Sequence, residues 1–252
     1  MPDKYGKRLV AFIDILGFSA LIKSIKPGDS ADTLLSKIEA VLTQHVVAPW
    51  TQRGDTSARM FSDCICFSAP PTLGGFLLTI TRLMNAQTAL LQCGLLVRGA
   101  ITTGRHYESA RMIFSEALVR AYNIERTVAC YPRIILDTDI VNEFYNPIKG
   151  EDKRRILANP FLLRDADGQV FVNYLSLISG PAADGKRERY LEIQRALILK
   201  EQVEHAREPS VMAKLAWVVR YHNFISQRLH ESRADLVIGS PETQGFEMVL
   251  PS

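Results

Sequence analysis

The feature that most constrains this chain is a lone aspartate inside an apolar strand. Residues 8–16 read RLVAFIDIL, a β-rich and nearly continuously apolar run, and Asp14 stands within it. An unpaired carboxylate in such a setting costs several kcal/mol, so something compensates it. The compensation is an ion pair or capping role on one reading and a divalent cation on the other. Gly17 breaks the run and FSALIKSI begins a helical pattern, so the strand feeds into a turn whose backbone N–H groups can face phosphates at a helix start.

The remaining pattern fixes the fold class. Residues 31–52 place Leu34, Leu35, Ile38, Val41, Leu42 and His45 at helical spacing. Residues 56–70 read as two short strands meeting near Ser62 and Asp63, with Pro70 and Pro71 ending the second. A helix over 73–91, a strand over 95–103, a helix over 115–128 and a strand over 133–136 follow. The order βααββαβαβ predicts an α+β fold, a ferredoxin-like layer with helices on one face of an antiparallel sheet and the other face open for a site. Beyond about residue 139 the composition turns charged and turn-forming. A second hairpin is expected over 161–175 with its turn at 165–168, then helices over 186–205 and 210–229. The expected division is a catalytic unit over 7–138 and a hairpin-plus-helices extension over 139–252.

Asp63, in RMFSDCICF, gains meaning beside Asp14. Taken alone it is a turn residue; on neighbouring strands the two carboxylates stand side by side, and like charges at close range need a cation between them. Two Mg²⁺ or Mn²⁺ ions would serve, one acidifying an attacking hydroxyl and the other holding a triphosphate and its departing pyrophosphate. Strand alternation also puts Arg59 and Phe61 on the face of Asp63, so an arginine that reads a base or a phosphate can share the pocket.

The phrases AFIDILGFSAL, RMFSDCICFSA, LLVRGAITTG and FSEALVRAYNIER resemble, in order and approximate spacing, the class III adenylate and guanylate cyclase domains, over roughly residues 7–137. FIDILGFS, VRGAITTG, ALVRAYNIE with YPRIIL, then FVNYL and YHN, are closer still to the stand-alone pyrimidine cyclases of bacterial anti-phage signalling, the Pycsar systems. The resemblance implies that Asp14 and Asp63 bind the metals, that the carbonyl of Ile15 completes one metal site, and that Leu16, Gly17 and Phe18 form the phosphate-holding turn. It implies a head-to-tail homodimer and conversion of UTP, or CTP, to a 3′,5′-cyclic monophosphate sensed by a separate effector.

Arg59 occupies the position where purine cyclases carry Lys or Glu. A guanidinium only donates hydrogen bonds, which suits the carbonyl acceptors of uracil or cytosine and not the N1–H and N2 amine of guanine. The chain also departs from the family. Val119 and Asn123 stand where many cyclases place a transition-state Asn and Arg, leaving Arg120, on the helical face of Asn123, and Asn123 itself as catalytic candidates. No lysine-rich hairpin follows residue 136, so Arg98, Arg105 or Arg126 is left to contact phosphates. A catalytically inactive nucleotide-binding sensor and a purine cyclase remain alternatives; a palm-type dinucleotide cyclase is disfavoured, because Phe61-Ser62-Asp63-Cys64 lacks the glycine pair and glutamate of that signature.

Composition excludes other classes. A net charge of +3 with scattered basic residues gives no nucleic-acid footprint. Cys64, Cys66, Cys93 and Cys130 form no CxxC pair and have no spaced histidine, so neither a disulfide framework nor a zinc site is expected and a reducing cytosol fits. No apolar run approaches the ~20 residues that span a bilayer. His106 and His222 lack spaced partners and read as structural or surface residues, and Trp50, Trp217 and Tyr221 as packing residues.

Overall fold

The computed structural model describes residues 5–18, 22, 36, 38–52, 54–158, 160–176, 181–228, 234–239 and 245–251. The helix expected after Gly17, and the first part of that expected over 31–52, lie outside these residues apart from isolated positions. Strand β1 (Gly6–Leu16) forms along the apolar run and ends where Gly17 takes φ +78°, a left-handed conformation that glycine adopts without a Cβ penalty. It is the central strand, antiparallel to β3 (Cys64–Ala69) on one side and to β4 (Leu96–Glu108) on the other. Strand β2 (Ser57–Phe61) pairs with β3 through a two-residue turn, Ser62–Asp63, in which Ser62 has φ 56°.

The resulting order β2-β3-β1-β4 leaves β3 between β1 and β2, the split βαβ arrangement expected from the sequence. The sheet then continues. Strand β5 (Ile113–Ser115) folds back on β4, β6 (Ile134–Leu136) runs parallel to β4, and the hairpin β7 (Leu162–Arg164) and β8 (Val170–Val172) joins β6 through β8. Strand β9 (Glu247–Met248) closes the edge on β7. The parallel β4–β6 pair makes the sheet mixed rather than wholly antiparallel, because a helical crossover lies between them.

Alternation along β1 divides the side chains between two faces. Leu9, Ala11, Ile13 and Ile15 enter the main core with Phe67, Ile101 and the helix α2 (Leu73–Leu91); the segment before β2, π-helical over Leu42–Val47 and then helix α1 (Ala48–Thr51), covers the same face. Trp50 stacks on Phe67 at 4.6 Å between ring centroids. Helix α2 begins where Thr72 Oγ1 accepts the Gly75 N–H at 3.1 Å, and a Cβ on Gly75 would meet the Pro70 carbonyl oxygen at 2.1 Å, so only glycine fits that tight entry.

Helix α3 (Glu116–Thr127) corrects the expected layering. It crosses the opposite face, packing Ala117 on Val10 and Cys66, and Ala121 on Phe12 and Ala100. A Cβ on Gly104 would lie 3.1 Å from Ala117 N, which fixes how closely the helix approaches β4. The second face is therefore covered across its middle and open at both ends. One end holds Asp14; the other, about 20 Å along the strand, holds Arg8.

The extension contributes α4 (Gly150–Ala158), α5 (Pro181–Glu204) and α6 (Pro209–Ser226). Helix α5 begins five residues before the sequence expectation, with Pro181 at its first position, which suits a residue with no N–H to donate. Trp217, Tyr221 and Phe224 of α6 pack with Phe171 and Phe246 in the same core as β1. Among the described residues no helix is long and apolar enough to cross a membrane.

Candidate metal and nucleotide site

Register builds one end of the second face. Asp14 stands opposite Cys64 on β3 and opposite Arg98 on β4. Asp63 reaches the same place from the β2–β3 turn, anchored where its backbone carbonyl accepts the Ile15 N–H at 2.9 Å. Carboxylate oxygens of Asp14 and Asp63 and the Cys64 sulfur lie within 4.8 Å of one another, all half-buried. The Cys64 thiol sits 3.9 Å from Asp14 Oδ1 and 3.7 Å from Asp63 Oδ1. Burial first, then both carboxylate charges, push that thiol up to about 12, so it stays protonated beside them.

Arg98 supplies the positive charge. Its Nε lies 3.1 Å from Asp14 Oδ2 and 2.6 Å from Glu125 Oε1. Glu125 is buried on α3, and burial pushes its carboxyl up, opposed by Arg98 and reinforced by the Asp14 and Asp63 charges. The cluster is thus three carboxylates, one thiol and one guanidinium. Sequence reading did not identify Glu125. Its one signal is spacing: Ala117, Ala121 and Glu125 recur every four residues, and that stripe faces the sheet.

The other expected residues fall in different places. Ile15 is buried, Leu16 half-buried, Gly17 exposed in the turn after β1, and Phe18 packs against the main core. Arg59 shares the face of Asp14 by register, opposite Cys66, which opposes Phe12, so it stands two positions, or about 7 Å, further along the sheet. Its Nε donates to Glu108 Oε1 at 2.7 Å and its Nη2 to the Ser109 carbonyl at 3.2 Å. A cavity of about 570 Å³ opens there, lined by Arg59, Glu108, Ser57, Ser68, Arg8 and His106.

Arg120 is not with the carboxylates. It forms ion pairs with Asp137 at 2.5 Å and Asp139 at 2.9 Å, just past β6. Asn123 is exposed, as is Val119, and the Asn123 backbone carbonyl accepts the Thr127 hydroxyl. Arg105 pairs with Glu116 on the surface, and Arg126 is exposed. His106 is buried in the cavity wall, and His222 lies in the core of the extension.

No family model matches the sequence, and no curated protein matches it. Among solved structures the chain is similar to the guanylyl cyclase Cya2, at 14% identity over 58% of this chain and 82% of that one, with a TM-score of 0.43. A bacterial light-regulated adenylyl cyclase gives 12% identity over 76% of this chain and 56% of that one, with a TM-score of 0.41. A class III adenylyl cyclase-like ATP-binding protein from Pseudomonas aeruginosa gives 9% identity over 60% and 36%, also at 0.41. The likeness is partial, and the roles of individual residues rest on the geometry above.

Proposed function

We propose that this chain is a nucleotidyl cyclase that uses divalent cations to convert a pyrimidine nucleoside triphosphate, UTP or CTP, to its 3′,5′-cyclic monophosphate and pyrophosphate. The observation that carries the reading is the meeting of Asp14 and Asp63 at an open sheet end, where Asp14 shares its guanidinium with Glu125 and Asp63 pairs with no cation among the described residues. Their oxygens are the donors Mg²⁺ and Mn²⁺ take, so the residues present fit such ions, with Asp14 and Asp63 as ligands and the Ile15 carbonyl beside them. When bound, the cations neutralise the triphosphate and acidify the ribose 3′-hydroxyl.

The chain's own groups do the rest. The Gly17 turn lies next to the carboxylates and offers backbone N–H groups to phosphate oxygens, and Arg98 adds a charge that can turn from Asp14 to the triphosphate. Arg59 meets the base. Glu108 carries the acceptor oxygens that guanine's N–H groups need, but these are already engaged by Arg59, Ser57 and His106, so the pocket end remains a donor. Exposed Phe61, Phe114, Val119 and Tyr122 on strands and a helix, and Met112 in the turn before β5, border this face, and a second copy of the chain covering them fits a homodimer. An anti-phage signalling role with a separate effector follows from the resemblance alone.

A second reading, a nucleotide-binding domain without turnover, is favoured by the commitment of Arg120 to Asp137 and Asp139. One experiment separates the two: purified protein with equimolar ATP, GTP, CTP and UTP plus Mn²⁺, products identified by mass spectrometry. A dominant cyclic pyrimidine nucleotide supports the proposal and a cyclic purine overturns the base assignment. Metal-dependent nucleotide binding without product supports the inactive domain.

A further inference from the structure

Strand β4 runs five residues beyond the end expected from sequence, and the overshoot brings an acid to Arg59. His106 is opposite Gly6, the first residue of β1, so Glu108 lies past the start of its neighbour and its side chain reaches β2. There Glu108 Oε1 accepts from Arg59 Nε at 2.7 Å, while Oε2 accepts from the Ser57 hydroxyl and lies 3.4 Å from His106 Nε2, a contact that needs the Nε2–H tautomer. Ser57 in turn is 3.0 Å from Ser68, which accepts from Arg8 at 3.2 Å. The side chain of Glu108 is 13% exposed and that of Arg59 43%.

We infer that Glu108 is the positioning residue of Arg59, setting the guanidinium plane so that its unoccupied edge selects the nucleobase. The inference rests on the nucleotide-binding reading above. Nε and one Nη2 hydrogen are taken by Glu108 and Ser109, and among the described residues Nη1 has no hydrogen-bond partner. Three N–H groups remain, and two of them, one on Nη1 and one on Nη2, form a pair of parallel donors that needs acceptor atoms on the ligand. A free arginine loses rotamer freedom when it binds; one already held does not. Burial raises the Glu108 carboxyl, but hydrogen bonds from His106, Ser57 and Arg59 and the Arg59 charge outweigh it and bring it down to about 2, so the clamp is ionised at neutral pH.

The test measures binding of non-cyclisable triphosphate analogues of all four nucleosides, and of inorganic tripolyphosphate, by calorimetry with Mn²⁺. Wild type is compared with Glu108→Gln, Ser57→Ala, Arg59→Ala and Arg59→Ala/Glu108→Gln. A positioning role predicts that Glu108→Gln weakens the preferred nucleotide about tenfold against the others, with Ser57→Ala in the same direction and smaller, while tripolyphosphate affinity holds. In the Arg59→Ala background the Glu108 change adds nothing. Equal losses for every nucleotide, or additive effects in the double variant, overturn the inference while leaving the nucleotide site standing. Wild-type protein that binds tripolyphosphate but shows no base preference overturns it as well, and binding of none of these ligands overturns the site itself.

Discussion

Two charged clusters on one sheet are built to opposite rules. Where β6 meets the extension, Arg133 is fully buried and its guanidinium is held by both Asp165 and Asp167 of the extension's hairpin turn, while Asp165 also accepts the Trp217 indole N–H at 2.5 Å and the Ala166 N–H at 2.7 Å. The buried carboxylate there, Asp165, has a cation and two further donors, Asp167 closes the pair from the exposed side, and Arg133 Nε is the one buried donor of the guanidinium without a partner among the described residues. At the end of β1, Asp14 and Glu125 share Arg98, Asp63 stands beside Asp14, and the thiol between the aspartates is pushed toward its neutral form. Satisfied charge makes a unique packing arrangement; unsatisfied like charge makes a place for something absent from the chain itself.

The largest expected effect breaks that comparison at the site. Asp14→Ala or Asp63→Ala lowers cyclic nucleotide formation at least about a thousandfold, since the cation loses one of its two carboxylate ligands. The thermal midpoint without metal stays level or rises as like-charge repulsion is relieved. Full activity in either variant ends the metal assignment. Asp165→Ala has the reverse profile: it strands the buried Arg133 and an indole N–H, at a cost of about 3–5 kcal/mol, or roughly 10 °C in midpoint. A midpoint drop under about 1 kcal/mol equivalent would show that Asp167 alone satisfies the guanidinium.

The sequence made the site's first half legible and hid the second for physical reasons. Asp14 stands out because a carboxylate interrupts an apolar strand, and Asp63 because a turn must join two short strands. Glu125 does not stand out, since an acid on an amphipathic helix ordinarily faces water, and the face α3 covers is set by tertiary packing rather than by periodicity. Glu108 was missed because Gly104 and Arg105 read as the end of a strand, whereas Gly104 is there to admit α3. Asp165 reads correctly as a turn residue in DADG, but its ion pair with Arg133 and its bond to Trp217 join positions 32 and 52 residues away.

A smaller effect tests whether the extension is as fully satisfied as its ion pairs suggest. His222 is buried, bonded to the Leu236 carbonyl at 2.8 Å, and burial first, aided by Arg195, lowers it from 6.5 to about 4. Its folded-state affinity for protons is depressed, so the unfolded chain binds more protons between those values and stability falls as pH drops through them. The expected loss is about 3 kcal/mol between pH 6.5 and 4, read from denaturant midpoints. His222→Gln flattens that slope; an unchanged slope places the proton uptake elsewhere.

The smallest effect concerns Arg98, which belongs to both kinds of cluster: it pairs with buried Glu125 as Arg133 pairs with buried Asp165, and with Asp14 as a cation would. Removing it leaves three carboxylates near one another, so Arg98→Ala without metal costs roughly 1–2 kcal/mol, less than at Arg133 because the aspartates remain half-open to water. Added Mn²⁺ binds only the folded chain and stabilises it by mass action, and in the variant Asp14 no longer has to release a guanidinium. The midpoint of the variant therefore rises more with Mn²⁺ than that of wild type, and the gap narrows. A gap that stays constant across Mn²⁺ concentrations assigns Arg98 to Glu125 and the fold alone, and moves the exchangeable charge of the site away from β4.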